Sequence, residues 1–394
     1  MKIFPESLKM LQSFTIKNYK NFKNAVTIDF SNVGGYKFNT DCIYDNTIGK
    51  MLIYGRNATG KTNLGAALLD IHYLLFGMQP GQGDSAFLNA DSEERYAEYT
   101  YVFRIHNYLI EYSYQKDINQ NLLTEQLKLD QSLIFKIDFQ NHNNTIYHLE
   151  KLYSETIITS VYEDAVREAD NRNEVNDIRV LPFLRWLLMN TALTADSPLI
   201  VLGTYVRYMR KLSFRFDLEN RAIRQFDPFY EILAQGNNLK NFEGFLNEMG
   251  IPCRLVLKRL PDGKMELYFE HKTLVPFISN ASSGTIALMN LYMSYILPVF
   301  KSSLLYLDEF DAFYHYEMAD NVIRYLKEHY PKSQVIMTTH NTNLMNNRLM
   351  RPDCLMILSG SGKLTALCNA TQRELREGHN LEKMYISGEF EQYE

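Results

Sequence analysis

An α/β fold with a mostly parallel central sheet, split by a large insertion, is what three features of this 394-residue sequence predict. Near the N-terminus a buried-type strand, a loop and a helix follow one another directly, from "GKMLIYG" into "KTNLGAALLDIHYLLFG". Strand and helix alternate again towards the other end, where "SLLYLDEF", "MADNVIRYLKEHY" and "SQVIMTTH" succeed one another. Between them the period changes, first to alternating apolar runs and then to a helical block.

Taken in order, residues 11–30 read as two short strands around a polar turn. After the "GKMLIYG" strand, Leu64, Ala67, Leu68, Ile71, Leu74 and Leu75 recur at helical spacing. Residues 76–90 are rich in Gly, Pro and polar residues and read as a loop. From 97 to about 150, "EYTYVFRI", "NYLIEYSY" and "SLIFKIDF" predict an antiparallel meander. Residues 152–245 read as mainly helical, with "VLPFLRWLLMNTALTA" the most apolar part and no heptad sustained enough for long coiled-coil arms. "ALMNLYMSYILPVF" is a helix with Met289, Tyr292, Met293 and Ile296 on one stripe, and "DCLMILS" and "KLTALCN" are two more strands.

Composition narrows the classes of function. Hydrophobic content of 46% and charged content of 22% are ordinary for a globular protein with a sizeable core. A net charge of -5 supplies no global attraction to nucleic acid or anionic lipid. Cys42, Cys253, Cys354 and Cys368 are scattered without a CxxC pair, which argues against a zinc site or a disulfide framework and suits a reducing compartment. The opening "MKIFPESLKMLQSF" lacks the apolar core of a signal peptide, and no run approaches the ~20 apolar residues of a membrane-spanning helix. The expectation is a cytoplasmic protein with no membrane partner.

"GRNATGKT" fits G-x-x-x-x-G-K-[ST] in full: Gly55, Arg56, Asn57, Ala58, Thr59, Gly60, Lys61 and Thr62, with Asn63 next. Glycines at that spacing let backbone N–H groups turn inward around phosphates; Lys61 adds a point charge, and the Thr62 hydroxyl is a Mg²⁺ ligand. A glycine turn that merely caps the next helix is the plainer reading, but the flanking strand and helix favour a nucleoside triphosphate site.

"LLYLDEFDAF" places Asp308 at a strand end, where it can hold Mg²⁺ through water, and Glu309 beside it, where it can orient or deprotonate an attacking water. Alone, "DEFD" is equally a solvated loop; the phosphate loop tips the balance. His340 ends the next strand; a lone histidine there is more often structural, but it lies at the end of the sheet where ligands bind in such folds, and an imidazole there can hydrogen-bond the γ-phosphate or the attacking water. "SNASSGTIALMN" then puts Ser282, Ser283 and Gly284 at a helix start, which is a cap, an anion site, or both.

In the order phosphate loop, insertion, Ser-Ser-Gly motif, Asp-Glu strand and histidine, the chain resembles the ABC-type ATPases. The resemblance implies a P-loop NTPase of the ABC-ATPase head type. Its mixed, largely parallel central sheet would be accompanied by an antiparallel β lobe and a helical insertion. It divides the chain into residues 1–75 and 251–394 as the two parts of the core, 76–150 as the β lobe and 151–250 as the insertion.

"ASSGT" takes the place of the transporter signature Leu-Ser-Gly-Gly-Gln, which implies Ser282 and Gly284 as γ-phosphate contacts to a second chain and Asp311 in the loop that crosses the dimer interface. The serine-rich form is similar to the SMC, RecF and defence-ATPase branch. "FTIKNYKNFKNAVTIDF", "TTHNTNLM" and "HNLEKMYISGEFE" resemble a prokaryotic AAA-type ATP/GTP phosphatase family whose members are common in phage-defence operons. The sensor ATPases of PARIS-like systems share this core, as do more distantly those of Septu and the OLD nucleases. The Q-loop glutamine has no confident counterpart; Gln82 is a weak candidate.

Three readings follow. In the first, ATP and Mg²⁺ bind between two head-to-tail protomers. Hydrolysis with Lys61, Glu309 and His340 then controls a separate effector, a nuclease or toxin encoded nearby, in response to a trigger such as a phage protein. The second is a RecF- or SMC-like ATPase that binds DNA in repair or recombination, supported by the basic run Arg207, Arg210, Lys211 and Arg215, although such a run is more often a solvated helix face. The third, a transporter subunit, fits poorly because the interval before "ASSGT" is too large.

Overall fold

The computed structural model describes residues 9–77, 87–152, 157–171, 181–213, 227–296 and 302–394. Its centre is a six-stranded sheet in the order β11 (Met209–Ser213), β15 (Leu304–Asp308), β16 (Gln334–Thr339), β5 (Lys50–Tyr54), β17 (Leu355–Leu358), β18 (Leu364–Ala366). The first five strands run parallel and β18 is antiparallel. Every residue of β5, β15, β16 and β17 is buried. That is why these segments read as short apolar runs without alternation: layers cover both faces of a parallel sheet.

A second, antiparallel sheet has seven strands in the order β10 (Ile146–Tyr147), β9 (Ser132–Asp138), β8 (Leu122–Leu129), β7 (Tyr108–Asp117), β6 (Tyr96–Ile105), β1 (Lys9–Lys17), β2 (Val26–Asp29). Here burial alternates along the strands, most regularly in β6, so one face only is in the core. Tyr99, Tyr101, Tyr112 and Tyr114 point inward, and the Tyr99 and Tyr114 rings stack at 4.8 Å. Residues on both sides of the expected 75/76 division therefore share one sheet, because β1 pairs along its length with β6.

Two buried polar ties hold this lobe to the core. The Gln334 amide donates to Leu11 O at 2.9 Å, and its oxygen accepts from Leu11 N at 2.8 Å and from the Tyr205 hydroxyl at 2.6 Å. Asp70 accepts from Lys116 Nζ at 2.6 Å and from the Tyr114 hydroxyl at 2.7 Å. The second tie sits beside a departure from the expected single helix after the phosphate loop. The helix is broken at Leu69 into Lys61–Leu68 and Asp70–Phe76, and the break turns the Asp70 carboxylate towards the lobe.

The insertion is mainly helical, with helices at Thr159–Asn171, Phe183–Asn190, Pro198–Arg207, Asp227–Leu233 and Asn238–Glu248. It also holds β11, and this corrects the reading of the basic run as a solvated helix face. Arg207 ends a helix, whereas Arg210 and Lys211 lie on a strand paired in register with β15, Ser213 opposite Asp308. Arg215 lies outside the described residues, as does Gln82.

A small antiparallel sheet of β12 (Leu255–Arg259), β13 (Met265–Glu270) and β14 (Leu274–Pro276) precedes the Ser-Ser-Gly helix, Ser283–Leu291. That helix continues as a π-helical turn, Tyr292–Ile296, with Met289, Tyr292 and Ile296 of the stripe buried and Met293 half-buried. Among the described residues no helix is long and apolar enough to cross a membrane.

Candidate nucleotide site

β5 delivers the chain into Gly55 at the carboxyl end of the parallel sheet, and the helix Lys61–Leu68 carries it away. The intervening turn needs left-handed backbone twice, at Ala58 (φ 66°) and Gly60 (φ 101°). A side chain at Gly60 would also stand 3.0 Å from the Phe22 ring, and one at Gly55 2.7 Å from Thr59 Oγ1. Glycine is thus required by conformation at the first and by close approach at both. Lys61 is only 5% exposed, and its ammonium donates to Gly55 O at 2.6 Å and Arg56 O at 3.0 Å. Burial lowers its pKa, against an opposing pull from Glu309, Asp308 and Asp311. The Lys61 charge is therefore within electrostatic reach of the acidic strand end.

The acidic side is set by hydroxyls of β16. Thr338 Oγ1 donates to Asp308 Oδ1 at 3.0 Å and accepts from Glu309 N at 2.8 Å. Thr339 Oγ1 donates to Asp311 Oδ2 at 2.8 Å. Glu309 itself is in the left-handed region at φ 49°, which turns its side chain off the strand direction. Asp311 is buried, and burial raises its pKa, with Thr339, Asn341 and the nearby His340 acting the other way. His340 is exposed directly after β16. Lys61, Asp308, Glu309 and His340 are thus gathered at one end of neighbouring strands of one sheet, and Thr62 follows Lys61 in the first turn of its helix.

The donor set suits a hard divalent cation. Asp308 and the Thr62 hydroxyl offer oxygen donors, and among the described residues no cluster of three or more His, Cys, Asp or Glu could hold a metal unaided. Mg²⁺ in phosphate sites takes only one or two protein ligands, with phosphate and water completing its shell.

Ser282 caps its helix: its Oγ accepts from Thr285 N at 3.1 Å. Ser282 and Ser283 are exposed, whereas Gly284 is buried, and a Cβ there would stand 2.9 Å from Phe313 O. The glycine therefore has a packing reason of its own, against the loop that carries Asp311.

Beside the phosphate loop lies a cleft of about 400 Å³ lined by Tyr54, Arg56, Asn57, Leu358, Tyr385 and Glu391 among others; none of Ser282, Ser283 and Gly284 lines it.

Three contributions were not read from the sequence. The β1–β2 turn sits on the phosphate loop, Asn21 Nδ2 donating to Ala58 O at 3.3 Å while Asn63 Nδ2 donates to Asn21 Oδ1. The Tyr306 hydroxyl donates to Lys61 O at 2.5 Å from within β15. Lys211 Nζ donates to Thr62 O at 3.0 Å and stands 3.8 Å from Asp308 Oδ2. Only the polar turn "NYKNFKN" carried any sequence signal for the first; the other two depend on strand order.

Residues 50–346 match the family described as "AAA domain, putative AbiEii toxin, Type IV TA system". No curated protein matches the chain. Solved structures with a similar arrangement include the SMC head domain from Thermotoga maritima, at 16% identity and TM-score 0.46, covering 90% of this chain and 98% of that one. Another is the Smc head domain with an extended coiled coil, bound to the C-terminal domain of ScpA, from Pyrococcus furiosus. It stands at 15% identity and TM-score 0.48, covering 98% of this chain and 100% of that one. The Smc head with a coiled coil and joint from Pyrococcus yayanosii stands at 12% and 0.48, covering 92% and 98%.

Proposed function

The chain belongs to this AAA-domain family, matched over residues 50–346, and on that footing we propose that it is an ABC-type ATPase working as a head-to-tail dimer. The observation that carries the proposal is that the strands ending at Tyr54, Asp308 and Thr339 are neighbours in one parallel sheet, so the buried Lys61, Asp308, Glu309 and His340 meet at one end of it. In this reading the N–H groups of residues 55–63 and the Lys61 ammonium hold the phosphates of ATP. Thr62 and Asp308 hold Mg²⁺, which supplies charge neutralisation at the phosphates when bound. Glu309 orients and deprotonates the water, and His340 hydrogen-bonds the γ-phosphate.

One fact supports completion by a second chain. Ser282 and Ser283 are exposed at the N-terminal end of a helix, where N–H groups and dipole favour an anion. Each site would then be closed by the partner's Ser-Ser-Gly turn, and the Asp311 loop would lie at the same interface.

The biological setting we infer is antiviral defence, with the ATPase as sensor and regulatory subunit for a separate effector such as a nuclease toxin. The family description, which names a toxin and a Type IV TA system, supports that setting. A DNA-binding ATPase draws less on the basic run than its composition implied, since Arg210 donates to the carbonyls of Arg207 and Met209 and Lys211 is engaged at the nucleotide site.

The deciding experiment is Glu309→Gln examined by light scattering after chromatography with MgATP. We expect ATP to be retained and the mass to double. A variant that binds ATP but stays monomeric at every concentration defeats the composite-site reading.

A further inference from the structure

We propose that Lys211 sets the metal dependence of the nucleotide site by competing with the divalent cation for Asp308. The proposal rests on the assignment of Thr62 and Asp308 to Mg²⁺ given above. It concerns the basic run of the insertion, which that assignment left without a role.

The geometry is specific. Parallel pairing of β11 with β15 places Ser213 opposite Asp308 and Lys211 opposite Tyr306. Side chains two residues apart on a strand share a face, so Lys211 and Ser213 lie on the same side of β11. From there the lysine reaches across β15: its ammonium is 3.0 Å from the backbone oxygen of Thr62 and 3.8 Å from Asp308 Oδ2. The Lys211 side chain is 20% exposed and that of Asp308 only 2%, so water screens the pair weakly.

Asp308 Oδ1 accepts from Thr338, which takes up one of its lone pairs. Oδ2 is the oxygen that Lys211 faces. An ammonium and a divalent ion brought to one carboxylate oxygen repel each other. At about 5 Å even a water-like dielectric of about 80 leaves enough repulsion between a single and a double charge to move a binding midpoint about tenfold.

One consequence is a link between the insertion and the metal. Among the described residues β11 is the insertion's strand in the central sheet and stands at its edge, with β15 as its neighbour. An edge strand held on one side can shift more readily than an inner one, and any shift of β11 moves Lys211 with respect to Asp308. A partner bound to the insertion could in this way raise or lower the Mg²⁺ requirement without touching the phosphate loop.

The test uses Mn²⁺ as a spin probe with the whole protein in excess over a non-hydrolysable ATP analogue, whose phosphates complete the metal's shell, free ion being read by electron paramagnetic resonance. Lys211→Met is expected to bind Mn²⁺ roughly tenfold more tightly than wild type, and Lys211→Arg, which keeps the charge, within about twofold of it. A fluorescent ATP analogue titrated at fixed low and high Mg²⁺ gives the second arm. The Met variant should need roughly tenfold less Mg²⁺ for half-maximal binding, with unchanged affinity at saturating Mg²⁺.

Unchanged or weaker Mn²⁺ binding in Lys211→Met overturns the proposal. So does an equal loss of analogue affinity with Mg²⁺ and with EDTA, which makes Lys211 a phosphate ligand. If the Met variant does not fold, Lys211→Gln takes its place with the same expectations. Failure of the wild type to bind the analogue at all would instead remove the underlying nucleotide reading, so the two failures are distinguishable.

Discussion

Lys116→Met should destabilise the protein by about 3 kcal/mol, although Lys116 lies outside the nucleotide site. Its ammonium is 2.6 Å from Asp70 Oδ2, and the two side chains are 6% and 10% exposed. The substitution keeps the apolar stem but leaves the Asp70 carboxylate buried, with the Tyr114 hydroxyl at 2.7 Å as its remaining side-chain donor. Breaking a buried pair in this way costs about 3–5 kcal/mol. Asp70 also begins the helix Asp70–Phe76, where the dipole favours negative charge by about 0.5 kcal/mol, so the lower end applies.

The reverse change should be milder. Asp70→Asn keeps an acceptor for the ammonium, which also lies 5.7 Å from the Tyr99 ring centroid and 5.6 Å from that of Tyr114. Those faces retain about 1 kcal/mol of cation–π attraction. The double variant should regain more than half of the loss, because it removes the stranded charge. Urea unfolding at constant m reads all three. A cost below about 1 kcal/mol for Lys116→Met, or an equal cost for both single variants, refutes the reasoning.

Further outcomes follow from other positions. Gly65→Ala would place a methyl 2.6 Å from Tyr306 Cδ1, so it should cost about 1–3 kcal/mol by overpacking and weaken nucleotide binding through the Tyr306–Lys61 bond, measured by calorimetry. Ser282→Arg should leave ATP binding by the monomer intact while abolishing dimerisation and turnover; normal turnover in this variant would show that the site is complete within one chain. Glu125 is fully buried, and burial lifts its pKa from 4.5 to about 7 despite N–H bonds from Phe183 and Leu184 and a hydroxyl bond from Tyr112. Because the folded value is the higher one, the protein is most stable below about pH 4.5 with respect to this group and loses up to about 3 kcal/mol as pH rises through 7. Glu125→Gln should flatten that part of the stability–pH profile obtained by denaturant unfolding.

The sequence was most informative where pairing and period are local. "GRNATGKT" between a five-residue apolar strand and a helix could be read directly, because strand, loop and helix are contiguous. The meander of β6 to β9 was legible too, since hairpin neighbours alternate on one face. What the sequence hid is long-range. "YVRYMRKLSF" mixes aromatic and basic residues in an order that fits a helix face or a strand, and only pairing with Leu304–Asp308 settles it. The engagement of Asn21 with Ala58 and of Tyr306 with Lys61 likewise comes from packing between separate elements. The break at Leu69 is not marked in the apolar periodicity, and the Asp70–Lys116 pair beside it joins residues far apart in sequence.

The backbone of Glu309 has a practical corollary for engineering. A side-chain-bearing residue at φ 49° holds a conformation that glycine adopts without the same steric cost, about 1 kcal/mol. Exchange for glycine removes that strain at the cost of greater freedom in the unfolded chain, so Glu309→Gly should be neutral or more stable by up to about 1 kcal/mol. In the proposed mechanism it also removes the base. A heat-resistance screen without an activity check could therefore accept glycine at this position, giving a sturdier protein that no longer turns over.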